Sequence, residues 1–345
     1  MELDQLPDQF DVIVVGGGIT GAGVLREAVR MGLKTLLLEK NDFAWGTSSR
    51  SSKLVHGGLR YIKEGRLLLT YASVRQRQRL LAEAPGLVEE LGFLMPIYKS
   101  VGPGKGIMSI GLTLYDIMAR QWDHRFYDAD TFLGLAPRLN AENLEGGFRF
   151  TDAQVDDARL VQRLINEAIE RGGAAANHAC VTDLQQNAQG RVTGVYVRDS
   201  ENGSTKSFSA KTVINATGSW AENLHPSPKQ HLHLRALRGS HLMLPAWRLP
   251  IQQAVTLIHP DDERPLFIIP WEGALMLGTT DIDHGRDINS EIVMDKTEAN
   301  YMLDCLKAYF PDADIGLDDC ISAYAGIRPV LSKGGQDPSK ESREH

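Results

Sequence analysis

The chain has 345 residues, 42% of them hydrophobic and 23% charged, with a formal net charge of −7. This length supports two domains, the composition excludes a disordered or low-complexity chain, and the acidic sum argues against a nucleic-acid-binding surface. Cys180, Cys305 and Cys320 are far apart and form no C-x-x-C, so neither a disulfide framework nor a metal site is indicated.

The first ten residues lack the basic and apolar regions of a signal peptide, which points away from secretion. Asp11 to Val15 is a short apolar run that reads as a strand buried on both faces. Gly16, Gly18 and Gly21 follow as G-x-G-x-x-G: a tight turn, a close backbone approach for a pyrophosphate, and close packing of the next helix. That helix is predicted from Ile19, with Gly32 as its stop, and its N-terminal N–H groups would face phosphate. A second strand, Thr35 to Leu38, ends in Glu39, an acid roughly 20 residues beyond the glycines and suited to ribose hydroxyls. The carboxylate would repel a 2′-phosphate, so FAD or NAD is favoured over NADP.

Residues 41–61 are polar and glycine-punctuated, too long for an idle connection within a compact domain. The hydroxyls of Thr47, Ser48, Ser49, Ser51 and Ser52 can meet phosphate or ring heteroatoms, and Gly57 and Gly58 leave room for a flat ring. A helix with a basic face is predicted over 63–90, carrying Lys63, Arg66, Arg75, Arg77 and Arg79. Its bland reading is a solvated face. No uninterrupted apolar stretch reaches the ~18 residues of a membrane span. Gly106 to Ala119 comes nearest, as a buried helix or one lying at a bilayer interface. Residues 91–146 are otherwise uninformative.

A helix is predicted from Val155 to Gly172, then an antiparallel hairpin over 174–199 turning at Asn187 to Gly190. A strand ending in Ala216-Thr217-Gly218 follows. Short runs rich in β formers fill 225–315, with a helix over 297–310. A last strand, 321–326, is expected to return to the nucleotide domain carrying Arg328.

T-S-S-R-S-S-K-L-V-H-G-G-L-R-Y (47–61), placed after a dinucleotide fingerprint, resembles the flavin-contacting segment of the FAD-dependent, quinone-linked glycerol-3-phosphate dehydrogenases. V-D-D-A-R-L (155–160), V-I-N-A-T-G-S-W (213–220), R-G-S-H (238–241), I-P-W (269–271), L-G-T-T-D (277–281) and A-G-I-R-P (325–329) extend the resemblance over essentially the whole chain. It implies an α/β fold: a Rossmann-like FAD-binding domain of the glutathione-reductase/amino-acid-oxidase type with a mostly antiparallel β-sheet substrate domain. The FAD domain would comprise 1–62, 146–224 and 316–345, and the substrate and helical region 63–145 and 225–315.

The resemblance further implies oxidation of sn-glycerol 3-phosphate to dihydroxyacetone phosphate by hydride transfer to FAD, with electrons passed to quinone. The alternatives are an oxidase using O2 and a catalytically incomplete FAD-binding fragment. A cytoplasmic protein peripheral to the inner face of the cell membrane, and a homodimer, are further expectations. FAD contacts would come from Gly16, Gly18, Ile19, Thr20, Gly21, Glu39, Lys40, Thr47, Ser48, Ser49, Ser52, Lys53, His56, Gly57, Gly58, Val181, Ala216, Thr217 and Gly218.

Oxidising a secondary alcohol also needs a base for its proton and fixed positive charge for the phosphate. His241 is the first candidate for the base, expected to titrate near neutrality, and His56 the second. Arg60, Arg328 and Arg343 are the candidate phosphate clamp, since guanidinium forks bind oxyanions and stay charged when desolvated, with Tyr61 as a hydrogen-bond donor. Relative to the family pattern, the sequence stops at Ser342-Arg343-Glu344-His345, before a further glycine-rich strand-to-helix segment with a lysine and a helical C-terminal cap; the cap is expected to be missing.

Overall fold

The computed structural model describes residues 2–59, 62, 65–99, 101–224 and 233–332. Strands β1 (Gln9–Val15) and β2 (Thr35–Leu38) flank helix α1 (Ile19–Arg30), so the predicted βαβ unit is present. Helix α2 (Leu67–Glu83) leads to β3 (Val88–Tyr98), α3 (Lys105–Ala119), β4 (Arg125–Asp128), α4 (Ala129–Leu135) and β5 (Leu144–Val155). Next come α5 (Asp157–Glu170), β6 (Ala174–Ala176), β7 (Ala179–Gln186), β8 (Val192–Asp199) and β9 (Thr205–Asn215). The remaining elements are β10 (His233–Pro245), β11 (Ala254–Ile258), β12 (Pro265–Trp271), β13 (Ala274–Gly278), β14 (Ile282–Asp283), α6 (Lys296–Tyr309) and β15 (Ser322–Ser332).

Two sheets organise these elements. The six-stranded sheet runs β6-β2-β1-β9-β8-β7, parallel from β6 to β9 and antiparallel beyond. Helices α1 and α5 cover one face, packing Leu25, Val161 and Ile165 against Val14 and Leu37. On the other face Ile13, Leu36 and Leu38 meet Phe10, Val195 and Phe208. With both faces covered, the central stretches Val12–Val15 and Leu36–Leu38 are apolar at every position, which is why their sequence shows no alternation.

The nine-stranded sheet runs β14-β10-β13-β12-β11-β3-β5-β4, with β15 paired to β10. Its strands alternate. Leu242 and Leu244 of β10 face α6 through Met302 and Leu306, so the intervening His241 and Met243 face the other way. Asp295 caps α6 with a capping box to Glu298. The buried Glu298 carboxylate then accepts from the hydroxyls of Ser240 (2.8 Å) and Thr280 (2.7 Å) and pairs with Arg238 (2.6 Å).

Three expectations are corrected. The helix predicted over 63–90 spans 67–83, because Pro85 and Gly86 break it and the chain enters β3. Arg77, placed on its solvated face, is buried against Asp152 (2.8 Å) and the Tyr115 hydroxyl (3.0 Å). The last strand does not return to the nucleotide sheet: β15 pairs antiparallel with β10 from His233↔Ser332 to Met243↔Ser322.

Candidate cofactor and substrate site

The site lies between the glycine turn of the small sheet and one face of the large one, with residues 47–58 in between. Gly16 has φ +110°, and a Cβ on Gly21 would fall 1.8 Å from the Gly16 carbonyl oxygen, so α1 seats on the turn only because position 21 carries no side chain. The Glu39 carboxylate accepts from the N–H groups of Gly17 (2.7 Å) and Asn41 (2.8 Å). Each oxygen keeps a lone pair, so the group sits beside the turn and can still accept ribose hydroxyls. Ile19 and Thr20, in the first turn of α1, are exposed, and the Ile19 N–H donates to the Ser48 hydroxyl (2.9 Å). Ala216 joins the turn by donating to the Val15 carbonyl (2.8 Å), and Thr217 and Gly218 follow it. The Lys40 ammonium lies 4.0 Å from the centre of the Trp220 ring, and burial lowers its pKa. Val181 is half-buried on β7, paired with Val197. These groups fit a dinucleotide: an open helix N-terminus, a close-packed glycine turn and an oriented carboxylate.

Segment 47–58 is bound to the large sheet and to helices α1 and α5. The Thr47 hydroxyl donates to the Ile327 carbonyl of β15, so it is engaged by protein rather than turned to phosphate. Tyr324 of the same strand donates to the Ser51 carbonyl (2.8 Å). The Lys53 ammonium donates to the Ser49 carbonyl (2.7 Å) and to Asp157 (2.5 Å), which also accepts from Ser51. Gly57 and Gly58 are buried. The position of a Gly57 Cβ is filled by the Tyr115 hydroxyl (2.2 Å) and Val74 (2.5 Å), so the missing side chain at 57 makes room for protein, not for a ring. His56 is exposed.

Facing this segment, β10, β13, β12 and β15 present His241, Met243, Met276, Trp271, Tyr324 and Arg328 on one face. Ser49, Arg50, Lys53, Met243, Trp271, Met276 and Tyr324 line a cavity of about 400 Å³. His241 is 3% exposed; its Nε2 lies 2.8 Å from the Ser52 hydroxyl and its ring stacks on Tyr324 at 4.7 Å. Its Nδ1 has no hydrogen-bond partner among the described residues. Burial, then the charges of Lys53 and Arg328, push its pKa down to about 3. The expectation that His241 titrates near neutrality is therefore not met, because the ring is shut away from solvent between two cations. Arg328 is partly exposed and donates to Asp281 (2.9 Å).

The structure thus brings together Ser52, Lys53, His241 and Arg328 from positions distant in sequence. Arg60, Tyr61 and Arg343 lie outside the described residues. Asp157, Asp281, Trp271 and Tyr324 had no role assigned from the sequence. The first three stand inside the quoted motifs and Tyr324 directly precedes one, so motif membership was the available signal.

Residues 11–340 match the family model described as FAD dependent oxidoreductase. The chain belongs to this family. As an FAD-dependent oxidoreductase, it has FAD as its cofactor. It is 33% identical over 342 residues to the aerobic glycerol-3-phosphate dehydrogenase of Staphylococcus haemolyticus, covering 98% of this chain and 61% of that protein. The Staphylococcus saprophyticus protein of the same name is 34% identical, covering 99% and 62%. The chain therefore spans about three fifths of the length of these relatives. Among solved structures, the glycerol-3-phosphate dehydrogenase of Bacillus halodurans complexed with FAD superposes with a TM-score of 0.80 at 33% identity, covering 96% of this chain and 59% of that one. An L-alpha-glycerophosphate oxidase from Mycoplasma pneumoniae, at 19% identity and a TM-score of 0.75, shares the fold.

Proposed function

We propose that this oxidoreductase oxidises sn-glycerol 3-phosphate to dihydroxyacetone phosphate and passes the electrons to quinone. The observation that carries the reading is a cavity shared by Ser49, Arg50 and Lys53 of segment 47–58 and Met243, Trp271, Met276 and Tyr324 of the large sheet, with His241 held against Ser52 and Tyr324 behind it, in a chain one third identical to named glycerol-3-phosphate dehydrogenases. When bound, FAD supplies a two-electron acceptor for the hydride of the carbinol carbon. Arg328, with Arg60 and Arg343, holds the phosphate, and its half-burial strengthens that attraction over the same pair in water. Tyr61 donates a hydrogen bond beside Arg60.

The proton of the substrate hydroxyl falls to His56, the exposed histidine of segment 47–58. His241, neutral and enclosed, orders Ser52 and the loop behind it. The nucleotide unit consists of the six-stranded sheet with α1, α5 and residues 47–58; the larger sheet with α6 forms the substrate unit. Anaerobic addition of glycerol 3-phosphate to the FAD-loaded chain should bleach the flavin absorbance near 450 nm. A spectrum that glycerol 3-phosphate leaves unchanged, with FAD bound, would reject the substrate. Reoxidation faster by a soluble quinone than by air-saturated buffer is expected, and the reverse order would make the protein an oxidase.

A peripheral membrane site is part of this reading. No helix among the described residues is long and apolar enough to cross a membrane. Helix α3 nevertheless exposes Ile107, Ile110, Leu114 and Ile117 on one stripe, with Lys105 and Arg120 at its two ends and exposed Leu68, Tyr71 and Trp122 nearby in sequence or on the packed α2. An apolar stripe bounded by cations suits the headgroup boundary of an anionic bilayer.

A further inference from the structure

Asp281 ends the L-G-T-T-D motif, between β13 and β14, and is 4% exposed. One of its oxygens lies 2.9 Å from Nη1 of Arg328 and the other 3.7 Å from Nη2 of Arg264, which also donates through Nη1 to the Asp281 carbonyl oxygen (3.3 Å). Arg328 itself is 36% exposed, so one edge of its fork is fastened while part of it stays open to an incoming ligand. Its Nη2 lies over Gly239, 3.9 Å from where a Cβ would stand, so no side chain from that position crowds it.

The geometry points to Asp281 as a positioning residue that aims Arg328 at the substrate's phosphate; the inference rests on the phosphate reading above. A free arginine side chain must give up rotamer freedom when it binds an oxyanion, and a buried carboxylate that already holds one edge of the guanidinium removes most of that cost before the ligand arrives. The charge count supports the same role. A carboxylate serving Arg328 alone would cancel the charge it positions, whereas here, among the described residues, the Asp281 carboxylate is approached by two guanidiniums, so it does not cancel both of their charges. Such a device fastens orientation without neutralising attraction.

The test is titration of the FAD-loaded chain with inorganic phosphate, followed calorimetrically, for the unchanged protein and for Arg328→Ala, Asp281→Asn and the double variant. Asp281→Asn should weaken phosphate at least tenfold, leave FAD affinity unchanged and add nothing to the loss caused by Arg328→Ala. Unchanged phosphate affinity in Asp281→Asn, or losses that add in the double variant, would overturn the positioning role. If Arg328→Ala binds phosphate normally, the phosphate reading itself fails, and this inference with it. Asp281→Glu guards against an unfolded asparagine variant: it keeps the charge but shifts the guanidinium, so the same tenfold loss is expected, and full affinity would also overturn the role.

Discussion

Ser52 and His241, 189 positions apart in the chain, meet at 2.8 Å between the serine hydroxyl and the imidazole Nε2. This contact fastens the loop after the first βαβ unit to the face of the large sheet. It also closes the histidine off from water, because Tyr324 stacks on the ring and a Cβ on Gly278 would lie 2.4 Å from its Cδ2.

Stability should therefore fall in acid through His241. Its pKa in the folded chain is about 3 against the ordinary histidine value of 6.5, so as pH drops the unfolded chain takes up the proton first. Stability present above pH 6.5 is lost progressively on the way to pH 3, by up to about 1.4 kcal/mol per pH unit from this group. Urea midpoints at pH 7.5, 6.0 and 5.0 should fall more steeply for the native sequence than for His241→Gln. Equal slopes would show that the imidazole is protonated in the folded protein.

Glu39→Ala should weaken FAD. The change removes the acceptor of the Gly17 and Asn41 N–H groups along with any ribose contact, and bonds to a charged acceptor are each worth about 1.5–3 kcal/mol. A loss of roughly ten- to a hundredfold in FAD affinity, read from flavin fluorescence quenching, is expected. Full retention would mean that the ribose is held elsewhere.

Arg77 and Asp152 form a buried pair with side chains 4% and 5% exposed, and Asp152 also accepts from Tyr115 (3.0 Å) and the Gly57 N–H (3.2 Å). Removing one partner leaves an uncompensated buried charge, so Asp152→Ala should cost about 3–5 kcal/mol in urea unfolding. The double variant Arg77→Met/Asp152→Leu should be less damaging than Asp152→Ala alone. A single-variant loss below about 1 kcal/mol would indicate that water reaches the pair.

Ile110→Glu/Ile117→Glu should abolish sedimentation with vesicles of phosphatidylcholine and phosphatidylglycerol while leaving the thermal midpoint within a degree or two, because both side chains are exposed and support no core. Binding by the native chain should weaken with added salt and be poor on pure phosphatidylcholine. Vesicle binding that survives the double substitution would place the contact on another surface.

What the sequence determined by itself was local: the strand, glycine turn, helix and acid of residues 9–39, helix α5, the hairpin of β7 and β8, and the motifs from which the site is assembled. These depend on periodicity and backbone freedom within a few neighbouring residues, so spacing alone makes them visible. Even the early end of α2 was written in Pro85 and Gly86. The tertiary structure decided that β15 joins β10, that Arg77 is interior and that His241 is buried. Alternation along a strand says which residues share a face, but not which strand lies beside it or what covers that face. Those outcomes are set when distant segments pack, and burial then fixes how each ionisable group behaves.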